Sequence, residues 1–174
     1  MLNSKVEKAI NDQIVAETYS AYLYLAMASY FESKGLKGMT SWMKCQAQEE
    51  LSHAMKFFNY VGERGGRVLL GAIEAPPSEW ESPLAAFENA LAHEQKVTGL
   101  INSIMDVAID EKDHASKSVL QWFIDEQVEE EATAGEIVDQ LRLIGDNGQG
   151  LLMLDKELGA RIFAYPPAAL GGGE

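Results

Sequence analysis

The chain has 174 residues, of which 47% are hydrophobic, so its length suits one domain and its composition supplies a core. Its 14 basic and 27 acidic side chains give a formal charge of −13, which argues against a nucleic-acid partner because duplex binding needs clustered lysine and arginine. No apolar stretch approaches the roughly 20 residues that span a bilayer. We therefore expect one domain over residues 1–174 with no membrane partner, and the lone thiol of Cys45 favours a reducing, cytoplasmic location.

Glycine and proline divide the chain into helical segments, and no segment shows the period-two alternation of a strand. Ser82 before Pro83 is a typical helix start, and Gly145 is a typical stop. The sequence predicts an all-α fold with four long helices, near 5–34, 39–64, 83–111 and 114–144. A short fifth helix near 150–161 and a frayed tail over 166–174 follow.

The connections predict the topology of these helices. Short turns after the first and third helices indicate two antiparallel hairpins. The link between the hairpins, from Gly65 to Ser82, has about 18 residues and can reach about 60 Å when extended. A helix of 26 residues is about 39 Å long. The sequence therefore predicts a four-helix bundle in which a long crossover joins the second and third helices.

Apolar residues recur in steps of three and four along each long segment, as they do on the inward face of a bundle helix. On the third segment we expect this stripe to run through Leu84, Phe87, Leu91, Glu94, Thr98, Ile101, Met105 and Ala108. Near its middle, each of the four stripes is interrupted by polar residues. These are Glu17, Glu50, His53, Glu94, Gln127 and Glu130.

Counting from the turns places these polar residues at one height. Glu17 and His53 each lie 18 residues from Gly35, the first hairpin turn, and Glu94 and Glu130 each lie 18 residues from the second turn. In an antiparallel hairpin, equal distance from the turn means equal height. A shift of 77 residues carries the first hairpin's polar positions onto those of the second. The spacing predicts a pseudo-twofold bundle with a polar cluster at its waist.

Four carboxylates buried together would repel one another and lose their hydration, so the cluster needs cations. Two divalent ions would balance the four charges, with His53 and Gln127 as uncharged ligands or hydrogen-bonding neighbours. Glu50 and His53 share one helix face, and oxygen-rich coordination with a single imidazole suits iron or manganese better than structural zinc. A single buried glutamate could instead pair with a lysine or reach solvent. Six such residues on four helices favour the metal, in the arrangement known from di-iron bundles.

Four stretches then resemble the ferritin family, most closely its bacterial non-haem members. They are residues 17–24 (ETYSAYLY), 49–54 (EELSHA), 93–94 (HE) and 125–131 (DEQVEEE). The resemblance covers nearly the whole chain. It implies an iron-storage ferroxidase that oxidises Fe(II) with O2 or H2O2. It also implies that ferric mineral is stored inside a homo-oligomeric shell of 24 subunits, with the fifth helix around its fourfold axis.

The resemblance also implies ligand roles. Glu17, Glu50 and His53 would hold one iron, and Glu50, Glu94 and Glu130 a second, so that Glu50 bridges the two. A central hydrogen bond would come from Gln127, and an extra electron from Tyr24. A third, nearby iron site would use Glu49, Glu126, Glu129 and the shared Glu130. The alternative for the first three of these is a solvated acidic face.

The sequence departs from the bacterioferritin pattern at two positions, and two alternative functions remain open. Bacterioferritins have a haem-ligating methionine directly after the bridging glutamate, where this chain has Leu51, so haem is not expected. They also repeat Glu-x-x-His on the fourth helix, where this chain has Gln127 followed by Glu130.

One alternative function is a detoxifying di-iron peroxide reductase without storage, and another is a non-catalytic helical interaction module. The remaining histidines, His93 and His114, are expected at the surface or an interface.

Overall fold

The computed structural model describes residues 1–163, which form five helices and no strand. The helices are α1 (Ser4–Ser33), α2 (Lys37–Glu63), α3 (Pro83–Asp110), α4 (His114–Ile144) and α5 (Gly148–Leu158). This arrangement confirms the all-α fold with four long helices and a short fifth one. The expected frayed tail, 166–174, lies outside the described residues. Within residues 1–163, no helix combines the length and apolar character that crossing a membrane requires.

Side-chain caps explain where the helices begin. The hydroxyl of Ser82 accepts a hydrogen bond from the Ala85 amide at 3.1 Å, and Pro83 then opens α3 with a favourable φ. The fifth helix begins at Gly148, two residues earlier than predicted. It begins there because the Asn147 side-chain oxygen accepts hydrogen bonds from the backbone amides of Gln149 and Gly150. Gly145 ends α4 with a φ of +53°, a conformation that suits glycine.

The crossover, residues 64–82, runs along α1, as its length predicted. Near the start of α1, the Leu69 amide donates to the Asn11 side chain at 2.7 Å, and the Asn11 amide donates to the Arg67 carbonyl at 3.2 Å. Near its end, the rings of Tyr30 and Trp80 are 5.4 Å apart. The link therefore returns the chain to the opposite end of the bundle, and α3 can begin beside the end of α1.

The apolar core is divided into two clusters. One includes Ile14, Phe57 and Phe123, whose last two rings stack at 3.8 Å. The other includes Leu23 and Phe31 and extends to α5. The polar residues predicted at the waist occupy the turns of helix between these clusters. Hydrophobic packing therefore closes the waist from above and below, and water is excluded from it.

The buried stripe of α3 agrees with half of the predicted one. Phe87, Glu94, Ile101 and Ala108 are buried as predicted, whereas Leu84, Leu91, Thr98 and Met105 are only half-buried. Ala90, Val97 and Ile104, each one residue before a half-buried position, are buried in their place. The helix is rotated so that small and β-branched residues face the neighbouring helices, which lets the backbones approach closely.

The fifth helix docks on the first turn of α2. Leu36, which precedes α2, has no side-chain oxygen to cap it, and Asp155 of α5 accepts the Met39 amide hydrogen at 2.8 Å instead. A Cβ on Gly38 would lie 1.5 Å from the Asp155 carbonyl oxygen. The two helices can therefore approach this closely only because residue 38 is glycine.

Replacing Gly38 with alanine is expected to lower the thermal midpoint, because α5 must move away and the Asp155 cap is lost. Loss of a cap alone costs about 1 kcal/mol. Gly62→Ala, also within α2, is the matched control, because nothing lies within 4 Å of its added methyl. That control is expected to leave stability unchanged or raise it by about 0.5–1 kcal/mol. Equal thermal midpoints for the two variants would contradict the docking role of Gly38.

Candidate metal site

The structure buries every polar residue that the sequence placed at the waist. Each of the six is at most 6% exposed, and together they come from all four long helices: Glu17, Glu50, His53, Glu94, Gln127 and Glu130. They are held where the predicted helical stripes put them, because apolar residues next to them on the same helices belong to the two clusters, such as Ile14 before Glu17 and Ala90 before Glu94.

One group joins α1 and α2. Glu17, Glu50 and His53 each offer a ligand atom, and the three atoms lie within 4.8 Å of one another. His53 Nδ1 is 3.8 Å from Glu50 Oε2. Two ligands on one divalent cation, with bonds of about 2.1 Å, lie up to about 4.2 Å apart. The spacing is therefore close to that of side chains sharing one ion.

The Glu17 carboxylate gives the clearest indication that the waist suits a cation. Its Oε1 accepts a hydrogen bond from Gln13 at 2.9 Å. Its Oε2 is a buried side-chain oxygen with no hydrogen-bond partner among residues 1–163. A buried polar atom left unpaired costs roughly 1–3 kcal/mol, so native proteins seldom keep one without a ligand or ion. The residues present therefore fit a cation between Glu17 and its neighbours.

Glu94 of α3 faces the same centre. The Tyr24 hydroxyl donates a hydrogen bond to Glu94 Oε1. Gln127 donates through Nε2 to Glu94 Oε2 at 3.3 Å and to the Glu94 carbonyl at 3.2 Å. Of the two roles open to Gln127, the geometry favours the hydrogen-bonding neighbour, since its amide nitrogen faces these oxygens. Tyr24 and Gln127 together orient the Glu94 carboxylate.

Two glutamines for which the sequence predicted no role complete this arrangement. Gln46 donates through Nε2 to Glu130 Oε2 at 2.6 Å and to Glu50 Oε1 at 3.2 Å, and so links α2 with α4. Gln13 supports Glu17 in the same way. Each glutamine lies four residues before a waist glutamate, on the same helix face. That i−4 spacing was the signal that could have identified them.

The waist holds protons tightly when no cation is present. Burial raises the pKa of Glu17 and Glu50 well above the ordinary value, and the charges of neighbouring glutamates add to both shifts. Burial also raises the pKa of Glu94. Burial and the charge of Glu94 raise the pKa of Glu130 to about 8. Each shift has the physical cause expected for carboxylates crowded in a dry site, so cations and protons compete for the same oxygens.

A second group lies beside the first, toward the surface. His53, Glu126 and Glu130 bring ligand atoms within 4.8 Å of one another, and His53 Nε2 is 3.9 Å from Glu126 Oε1. Glu129, predicted for the third iron site, is exposed and belongs to neither group of ligand atoms. Glu49, also predicted there, forms an ion pair with Arg161. The structure thus brings together part of the predicted third site and adds His53 to it.

His93 was expected at the surface or an interface, and the structure buries it between α1 and α3, where it is 8% exposed. Its Nε2 lies 2.8 Å from the hydroxyl of Ser20, and its ring is 5.6 Å from that of Tyr19. Burial and the nearby charge of Lys96 lower its pKa to about 4. The imidazole is therefore neutral near pH 7 and serves α1–α3 packing. Its position one residue off the predicted stripe concealed this, because the stripe of α3 is rotated.

Comparisons with known proteins agree with this fold. A family model described as a ferritin-like domain matches residues 7–144. A bacterial non-heme ferritin from Bacteroides fragilis (strain 638R) is 44% identical over 161 residues, covering 92% of this chain and 100% of the relative. One from Staphylococcus saprophyticus is 42% identical over 163 residues, covering 94% and 98%.

A solved structure extends the similarity to three dimensions. An open pore ferritin from the hyperthermophilic archaeon Archaeoglobus fulgidus matches with a TM-score of 0.92 and 58% sequence identity, covering 93% of this chain and 100% of that one. An engineered closed form of that ferritin matches with a TM-score of 0.93. With a family model and relatives that span nearly the whole chain, the protein belongs to the ferritin family of iron-storage proteins.

Proposed function

We propose that this protein is a ferroxidase that stores iron. Two Fe(II) ions are its substrate at the waist, and together they give two electrons to O2, forming peroxide, or to peroxide, forming water. The single observation that carries the proposal is the unpartnered, buried Oε2 of Glu17 beside Glu50 and His53. Buried carboxylates with an unpaired oxygen are stable once cations neutralise them.

The proposed ligand sets follow the two halves of the waist. Glu17, Glu50 and His53 bind one Fe(II), and Glu50, Glu94 and Glu130 bind the other. Glu50 is the shared ligand in this proposal, and its interactions with Glu17 and with the charges of Glu94 and Glu130 support that role. Four carboxylates balance two Fe(II) ions. After oxidation, the six positive charges of two Fe(III) ions exceed the four carboxylate charges by two. This excess favours release of Fe(III) toward the cavity.

The remaining side chains position these ligands. Gln127 and Tyr24 hold Glu94 by hydrogen bonds, and Tyr24 is also proposed as an additional electron donor. The pKa of Tyr24 is raised, chiefly by burial and then by Glu94, so its hydroxyl keeps its proton and remains a donor. A third iron position beside Glu126 and Glu130 completes the proposal, and haem has no part in it.

The storage step requires a shell. We propose a homo-oligomer of 24 copies of this one ferritin-like domain, located in the cytoplasm, with α5 around the fourfold axis. The structural relatives described above as ferritins support this assembly. α5 offers apolar side chains for it, since Leu152 and Met153 are 64% and 68% exposed in the single chain. The formal charge of −13 per subunit would draw Fe(II) toward the assembled shell.

Loading the purified protein with iron tests the proposal against a peroxide reductase that stores nothing. Several hundred Fe(II) per shell, added in air in small portions, are expected to give an electron-dense core within particles that elute as a large oligomer. Apoferritin treated with Fe(III) in place of Fe(II) is the control, since it bypasses the waist. Turnover of peroxide with about two retained irons per subunit would contradict storage.

A further inference from the structure

Arg161, three residues beyond the end of α5, reaches back to α2. One guanidinium nitrogen donates to the Gln46 side-chain oxygen at 2.7 Å, and the other forms an ion pair with Glu49. The guanidinium also lies over the ring of Trp42, at 4.6 Å from its centroid. Both partners of the ion pair are only 24% exposed, so solvent screens it less than an ordinary surface pair.

The docking of α5 fixes where this arginine emerges. The close approach of Asp155 to Gly38, and its hydrogen bond from the Met39 amide, hold α5 against α2. The Cys45 thiol, also on α2, donates to the Arg161 carbonyl at 3.6 Å. The helix before Arg161 and the carbonyl of Arg161 itself are therefore tied to α2, which holds the guanidinium near its partners.

Through Gln46, the arginine also borders the inner metal site. Arg161 donates to the amide oxygen of Gln46, and the amide nitrogen faces the other way. There it donates to Glu50 Oε1 at 3.2 Å and to Glu130 Oε2 at 2.6 Å. A flipped amide would place an oxygen against two carboxylates. Arg161 and the two carboxylates therefore favour the same amide orientation, and the carboxylates alone keep it when Arg161 is removed.

Through Glu49, the arginine controls a neighbouring carboxylate. Glu49 lies four residues before His53 within α2, so the two side chains share one helix face at the edge of the outer group of ligand atoms. The charge of Glu49 also acts on His53, Glu126 and Glu130. Its Oε2 is engaged by Arg161. A guanidinium there occupies the oxygen and supplies the positive charge that a metal ion would supply.

We propose that Arg161 is a positioning residue that withholds Glu49 from a third cation until the arginine is displaced. The inference rests on the proposed function, because it concerns the outer position of the same iron site. It makes occupancy of that position depend on the segment that follows α5. The two inner positions do not use Glu49 and keep their ligands when Arg161 is removed.

Calorimetric titration of the assembled apoprotein with Zn(II), which is redox-inert, tests this. Arg161→Met keeps a long unbranched side chain beside Trp42 but removes the charge. It is expected to bind the third Zn(II) per subunit about tenfold more tightly than the parent, with the first two binding steps unchanged. The double variant Arg161→Met with Glu49→Gln is expected to lose that gain. Arg142→Met removes an exposed arginine of α4 as the matched control and should behave as the parent.

Two results would overturn the inference. One is a third binding step with the same affinity in the parent and in Arg161→Met, while the first two steps are intact. The other needs no variant: a Zn(II)-soaked parent crystal with metal bound to Glu49 while Arg161 still pairs with it. A parent that binds no Zn(II) at the two inner positions would instead contradict the proposed function itself.

Discussion

Replacing Glu50 with glutamine is expected to slow the initial oxidation of Fe(II) by at least about 100-fold. Loss of a group that merely supports a metal ligand costs about 10–100-fold in affinity or activity, and Glu50 is proposed to be a ligand of both ions. The glutamine keeps the shape of the side chain and removes its charge. Stopped-flow absorbance after mixing with two Fe(II) per subunit in air measures the rate.

Glu63→Gln is the matched control, because Glu63 is an exposed glutamate at the end of the same helix. It should oxidise Fe(II) at the rate of the parent. Circular dichroism and gel filtration should show both variants folded and assembled. If Glu50→Gln oxidises Fe(II) at an initial rate within threefold of the parent's, the waist residues are not part of the mechanism.

The metal-free protein is expected to lose stability as the pH rises from about 4.5 to 8. Below pH 4.5 the Glu130 carboxyl is protonated in the folded and unfolded states alike. Folding then buries no charge at this position, and the free energy of unfolding has its full value. As the pH rises, the unfolded chain ionises freely, whereas the folded protein holds the proton because its pKa is about 8. At about 1.4 kcal/mol per pKa unit, Glu130 alone accounts for a loss on the order of 4 kcal/mol by pH 8.

Thermal midpoints of the apoprotein at pH 5.5 and pH 8 measure this effect. The neutral Glu130→Gln variant is expected to show a smaller difference between the two pH values than the parent. Zn(II) added to the parent at pH 8 should restore its midpoint. Glu129→Gln, the exposed neighbour, separates this local effect from general charge repulsion and should behave as the parent. Equal pH dependence in both variants would argue against buried charge at the waist.

The periodicity of the sequence was sufficient to predict the bundle and the waist. Distances from the hairpin turns located Glu17, His53, Glu94 and Glu130 correctly, because a helix converts sequence separation into height at a fixed rise. The crossover followed from its length alone. These features depend on local geometry, which a single sequence contains.

Contacts between distant segments could not be predicted in this way. Arg161 and Glu49 are 112 residues apart, and their pairing depends on how α5 docks against Gly38. The rotation of α3 that buries His93 depends on which small side chains let the helices approach. Such choices are made by packing between elements, and no period along one segment records them. The contact between Glu49, which was predicted as an iron ligand, and the guanidinium of Arg161 could therefore not be predicted.

Diffraction from an Fe(II)-soaked crystal, collected on both sides of the iron absorption edge, shows whether cations neutralise the buried carboxylates of the waist. Two anomalous peaks per subunit are expected inside the bundle, within bonding distance of the Glu17, Glu50 and His53 side chains and of Glu94 and Glu130. Glu17 Oε2 should then contact iron. A map without anomalous signal at that height, with Glu17 Oε2 still unpartnered, would contradict the proposed metal site.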